Sequence, residues 1–208
     1  MTTLPAEIIT EAVVDKVTDT TKNKQNKHEE TSLLSLIVTG LVMLAIVLLV
    51  RAYIAKPFIV SGVSMYPTFD SWHYLIIDEY TYNFSRDPQR GEVVVFHYPG
   101  DTSRYFIKRI IGLPGETVSI SGHDVSINSG APLNEPYIAD TKKKRDTMEI
   151  TLGDDEYFVL GDNRRESADS RYWGPLKREF IVGRPITRLF PFTQINWLPG
   201  KASYNNIL

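Results

Sequence analysis

Cysteine is absent from the 208 residues. That excludes a disulfide scaffold, a thiol nucleophile and any cysteine-ligated metal site. Histidine is scarce: His28, His73, His97 and His123 are the only four. None falls in an HExxH or HxH pattern, so zinc hydrolysis has no support, and each reads as an ordinary surface or strand residue. No GxSxG elbow is present, which leaves nothing to favour a Ser-His-Asp triad. Charge of one sign is also lacking. The formal net charge is −2, too balanced for the basic footprint of a nucleic-acid-binding protein. No metal or cofactor is expected.

Apolar residues are sparse at the start. Residues 1–31 are rich in Thr, Lys, Asn and Glu, and only Ile8, Ile9, Val13, Val14 and Val17 suggest a short amphipathic turn. Such a segment cannot offset its own ordering entropy, so a mostly disordered tail is expected. The composition then changes abruptly. LLSLIVTGLVMLAIVLLV, from Leu33 to Val50, carries no charge. As a helix it would be roughly 27 Å long, close to the ~30 Å hydrocarbon core of a bilayer. A buried core helix would show a polar stripe, and Ser35 with Thr39 makes a poor one. A cleavable leader would be shorter in its apolar part and followed by small residues rather than Arg51. The expectation is a single-pass anchor over residues 32–54. Lys16, Lys22, Lys24 and Lys27 precede it, against Arg51 and Lys56 close behind. The positive-inside rule then puts the N-terminus in the cytoplasm and residues 55–208 outside it.

Long helical periodicity is missing beyond Phe58. FIVSGV, YLIIDEY, EVVVFHY, RYFIKRIIG, TVSISG, DVSIN, EYFVLG and FIVGRPITRLF are short β-branched and aromatic runs, punctuated by Gly, Pro, Asn and Asp. They predict a mainly β domain, antiparallel and barrel-like, with an exposed loop at 141–147. Phe190, Phe192 and Trp197 either touch lipid or fill the core, and the core is the favoured expectation.

Three patches carry candidate chemistry. In SGVSMYPT a serine, Ser64, stands before a Pro-containing turn. In RYFIKRIIGLPGE, Lys108 and Arg109 are adjacent within an apolar strand. Strand alternation sends them to opposite faces, so at least one cation meets an apolar environment. For a lysine, that lowers the pKa. A lysine snorkelling from a sheet edge is the alternative. The third patch, GDNRRESADSRYWG, is a dense polar loop whose Asp, Arg and Trp residues suggest internal bonding.

Together with RGEVVVF, these patches stand in the order found in the type I signal peptidases, and the chain resembles that family, in its single-anchor, Gram-positive form. The resemblance implies that Ser64 is the nucleophile and Lys108 the general base. A serine hydroxyl needs its proton removed during attack, and Ser-Lys pairs are one solution. The lysine must be neutral. With an ordinary pKa of ~10.4, only about one molecule in a thousand would be neutral near pH 7.4. The resemblance makes Ser167 the residue that orients the lysine amine. Asp169 and Arg171 would hold the loop, and Asp162 and Arg109 would form a second ion pair. Phe58, Val60, Met65, Phe106 and Ile107 would wall a shallow apolar pocket for small side chains. Gly62 stands where some relatives carry a serine whose hydroxyl stabilises the oxyanion, which leaves the Ser64 N–H and an unidentified second donor. Implied partners are the signal peptides of exported preproteins, cleaved after small residues (Ala-x-Ala), the lipid bilayer and the secretion machinery. A self-cleaving repressor-like protease would share the Ser/Lys chemistry, but the anchor and the polar loop argue against it. A degenerate relative that assists pilus assembly would lack part of the pair.

Overall fold

The computed structural model describes residues 33–48, 55–122, 124–138, 146–202 and 204. The chain divides into two units, Met1–Val50 and Arg51–Leu208. In the first, residues 33–48 form helix α1 with every described residue exposed. Among the described residues no helix is long and apolar enough to cross a membrane. The expected tail (1–31) and both ends of the expected anchor (32 and 49–54) lie outside the described residues.

The second unit is built from antiparallel strands. The main sheet joins β1 (Ala55–Ile59), β2 (Tyr74–Asp78), β10 (Ile181–Phe190), β3 (Val93–Tyr98), β4 (Asp101–Gly112), β8 (Glu156–Leu160) and β9 (Leu176–Lys177) in that spatial order, with β11 (Asn196–Trp197) beside β10. A smaller sheet runs β6 (Asp124–Ile127), β5 (Thr117–Gly122), β7 (Asp146–Thr151). The main path has two ends, β1 and β9, with no pairing between them among the described residues.

Most of the expected strands are present. The first begins earlier and ends sooner than FIVSGV suggests: β1 stops at Ile59, and the chain turns from Val60 into the Ser64 segment. The expected loop at 141–147 is shorter at its end, because Asp146 and Thr147 already belong to β7; residues 141–145 lie outside the described set. β7 pairs with β5 over its whole length, which draws the Thr-Met-Glu-Ile-Thr alternation into the sheet.

Two packing layers position the site. Val60, Met65, Phe69, Leu75, Ile77, Val93 and Val95 form one buried cluster beneath the Ser64 turn, with Phe58 and Ile107 packed against it. Ile111, Phe158 and Leu160 of the main sheet meet Val118, Ile120, Val125 and Ile127 of the small one. Strand β4 crosses between exposure and burial. Its first five residues are exposed and its last five buried. Phe190, Phe192 and Trp197 do not fill the core: they are 45%, 77% and 73% exposed. Burial along β10 alternates only as far as Arg188. Beyond that point the strand leaves the covered part of the sheet.

Candidate active site

Lys108 lies where β4 passes from solvent into the core. It is only 4% exposed. Its Nζ stands 2.8 Å from Oγ of Ser64 and 2.9 Å from the carbonyl oxygen of Ile107. The Phe106 ring, on the same face of the strand, lies 5.2 Å from the amine. Loss of hydration lowers the lysine pKa from 10.5 to about 8, while the carboxylates of Asp169 and Asp162 pull in the other direction. An amine near that value has a substantial neutral fraction at mildly alkaline pH. Neutral, it can donate one N–H to Ile107 and accept the Ser64 hydroxyl proton on its lone pair.

The Ser64 turn is gripped by the polar loop. The Asn163 backbone N–H donates to the Ser64 carbonyl at 3.0 Å. Asn163 Nδ2 donates to the Val63 carbonyl at 3.1 Å. The backbone N–H of Ser64 makes no hydrogen bond among the described residues, so it is available to a developing oxyanion.

Two buried ion pairs stand behind these groups. Arg109 meets Asp162 as a fork, with Nε to Oδ1 at 2.7 Å and Nη2 to Oδ2 at 2.6 Å, both residues 1% exposed. Its Nη1 donates to the Gly91 carbonyl at 2.8 Å and to that of Gly200. Thr68 Oγ1 donates to Asp162 at 2.5 Å. Arg171 forks onto Asp169 at 2.8 and 2.9 Å. Asp169 also accepts the Gly161 N–H at 3.0 Å and caps the short helix α2 (Ser170–Trp173) through the Arg171 N–H. A buried charge pair tolerates burial only when its remaining hydrogen-bonding capacity is met, as it is here.

Ser167 stands apart from the expectation. Its hydroxyl is buried and has no hydrogen-bond partner among the described residues; the Lys108 amine meets Ser64 and Ile107 instead. The side chain packs on Gly161. A Cβ at residue 161 would overlap Ser167 Oγ and stand 2.5 Å from the Ser64 carbonyl oxygen.

A groove of about 550 Å³ opens beside the pair. Phe58, Val60, Gly62, Phe106 and Ile107 line it, together with Arg104, Glu166 and Ala168. Met65 does not. At 1% exposure it belongs to the core cluster under the turn, because the chain reverses direction at Ser64 and aims the next side chain inward. Along the groove β8 pairs with β4 only from Arg109 onward, so residues 104–108 keep one edge unpaired among the described residues. His73 and His97 take no part. His73 Nδ1 accepts the Asp70 N–H, and the His97 ring packs on Tyr105.

Sequence reasoning assigned no role to Gly161, Asn163, Glu166 or Arg104. The first three lie inside the GDNRRESADSRYWG segment, whose density of polar residues was the available signal.

Residues 33–190 match the family described as signal peptidase, peptidase S26. The chain belongs to this family. Among curated members, a probable signal peptidase I-2 of Synechocystis sp. is 39% identical over 193 residues, covering 89% of this chain and 86% of its own. The signal peptidase I of Leptolyngbya laminosa is 37% identical and covers 74% of this chain and 78% of its own. Signal peptidase I T of Bacillus subtilis is 36% identical, with 71% and 80% covered. A crystal structure of a signal peptidase I from Enterococcus faecalis aligns at 36% identity and TM-score 0.42, over 48% of this chain and 97% of that one. Membership makes the protein a signal peptidase-type peptidase whose catalytic unit is mainly antiparallel β.

Proposed function

We propose that the chain is a membrane-bound serine endopeptidase that removes N-terminal signal peptides from exported preproteins after small residues. Ser64 is the nucleophile and Lys108 the general base. The observation that carries the reading is the 2.8 Å approach of a buried, desolvated amine to the Ser64 hydroxyl.

The steps follow from that geometry. Neutral Lys108 takes the Ser64 proton as Oγ attacks the scissile carbonyl carbon. The oxyanion accepts the Ser64 N–H. Lys108 then returns the proton to the leaving amine, and the acyl group stays on Ser64 as an ester. Water, deprotonated by Lys108, attacks the ester and releases Ser64. The substrate lies extended against the free edge of β4 and beside β1, as an added strand. Phe58, Val60, Phe106 and Ile107 supply the apolar walls that exclude large side chains. Arg109, Asp162, Asp169 and Arg171 hold the loop behind the pair.

The apolar run within 32–54 serves as the bilayer anchor, with the N-terminus cytoplasmic and the catalytic unit outside. Preproteins arriving from the secretion machinery are the substrates. The test is cleavage of a synthetic signal peptide containing Ala-x-Ala by the full chain in detergent. Wild type is expected to cut once, after the second Ala, and Ser64→Ala to leave the peptide intact. Equal turnover by the two proteins removes Ser64 from this role.

A further inference from the structure

Ser64 sits in a closed loop between β1 and β2. The β1–β2 ladder ends at Ile59 opposite Tyr74. Two more backbone bonds extend the neck: the Val60 N–H to the His73 carbonyl and the Trp72 N–H to the Val60 carbonyl, each 2.9 Å. The next rung is made by a side chain. Ser71 Oγ accepts the Gly62 N–H at 3.1 Å and donates to the Gly62 carbonyl at 3.2 Å. One hydroxyl therefore satisfies both polar groups of a single residue, nine positions away.

That residue is the most freely rotating one in the turn. Gly62 has φ +101°, and a Cβ there would meet nothing within 4 Å. The backbone angle, not lack of space, calls for glycine. Glycine makes the turn attainable but does little to hold it. Downstream, the Val63 and Ser64 carbonyls are held by Asn163. Upstream, the only side-chain hold among the described residues is Ser71. The peptide that presents the Ser64 N–H and hydroxyl is thus fixed from both ends.

We propose that Ser71 is a positioning residue for the nucleophile: by clamping Gly62 it fixes the orientation of the Ser64 turn relative to Lys108. The proposal rests on the Ser/Lys reading above. Ser71 touches neither the substrate groove nor the lysine, so it acts on the chemical step through geometry and not through binding or the amine's proton affinity.

The test uses the full chain in detergent with wild type, Ser71→Ala and Ser71→Thr. Steady-state kinetics on the Ala-x-Ala peptide are measured across pH, with melting temperatures and amide exchange at Gly62. Ser71→Ala is expected to lower kcat about tenfold, equal to ~1.4 kcal/mol of barrier. KM should change less than kcat, within about twofold, since Ser71 lies outside the groove and Gly62 is the one lining residue it holds. The acid limb of the pH profile should not move. Gly62 exchange should quicken, and Thr, which keeps the hydroxyl, should restore kcat. Unchanged kcat in Ser71→Ala overturns the proposal. So does a loss that Thr fails to restore, or one carried by KM or by a displaced acid limb. If wild type itself leaves the peptide uncut, the protease reading fails instead. Gly62 exchange then decides the clamp alone: faster exchange in Ser71→Ala supports it, and an unchanged rate overturns it.

Discussion

Gly161 and Ser167 pack against each other with no room for a side chain at residue 161, and the third partner in that contact is the Ser64 carbonyl oxygen. The same glycine donates its N–H to Asp169 and accepts from Arg164 Nε at 3.1 Å. Beside the Asn163 bonds, it is a second place where the polar loop touches the Ser64 turn.

Gly161→Ala is therefore expected to push the two segments apart. The loop is anchored by the Arg171–Asp169 fork, so the Ser64 turn is the side that yields. Overpacking of this kind costs typically 1–3 kcal/mol. The larger effect should be on turnover, because an ångström of displacement at the reacting atoms can lower a rate about a hundredfold. Thermal melts and peptide cleavage measured together check this. A variant with wild-type kcat would show that the contact is slack.

Lys108 gives the pH dependence its sign. Its pKa falls from 10.5 unfolded to about 8 folded because burial strips water from the amine. Between those values the unfolded chain binds the extra proton. Wild-type stability should then rise with pH from about 8 to 10.5, relative to Lys108→Met, by on the order of 3 kcal/mol. Below pH 8 the penalty is constant and fully present. Urea titrations of both proteins across that range measure the difference. The rate should climb through an acid limb near the folded pKa. Lys108→Arg, which stays charged, should be as inactive as Lys108→Met.

The lysine was legible in the sequence because two adjacent cations in an apolar strand cannot both reach water by alternation. Both are in fact buried, on opposite faces, one beside a hydroxyl and one forked onto Asp162. The strand pattern was legible for the same reason of alternation. What could not be read was direction at a turn and coverage at a sheet's end. Met65 follows Ser64 directly, but where the chain reverses, adjacency does not say which side chain faces the groove. Phe190, Phe192 and Trp197 look like core by composition, and only the topology shows that among the described residues no layer covers that end of β10. Gly161 and Ser71 act through close approach and a single hydroxyl, which leave no periodic trace.

Asp162→Asn tests the buried pair behind the site. The change leaves the Arg109 guanidinium 1% exposed without its charge partner. Removing one member of such a pair typically costs 3–5 kcal/mol. Arg109→Met combined with Asp162→Leu should cost much less than the two single changes summed. Asp162 also raises the Lys108 pKa. In whatever fraction of Asp162→Asn folds, the acid limb of the rate profile should move to lower pH. A limb that stays in place would separate the pair from the lysine's electrostatics.

Ser167→Ala is the sharpest test of the polar loop. A buried hydroxyl without a partner adds desolvation cost and no bond, so its removal should leave the melting temperature unchanged or slightly raised. Turnover should behave differently. The charged lysine has three donors, of which two meet Ser64 and Ile107. Once Ser64 Oγ bonds the substrate carbon, the amine loses a partner at the moment it must hold a proton. The prediction is that the Ser167 hydroxyl, on the loop that packs against the Ser64 carbonyl, then accepts from the amine. Keeping a lysine stem in one rotamer is worth up to ~2 kcal/mol, so losing that support should lower kcat roughly ten- to thirtyfold with little change in KM. Stability and kcat both at wild-type values would leave Ser167 as filler against Gly161. Lower stability together with lower kcat would make it a structural stitch in the loop.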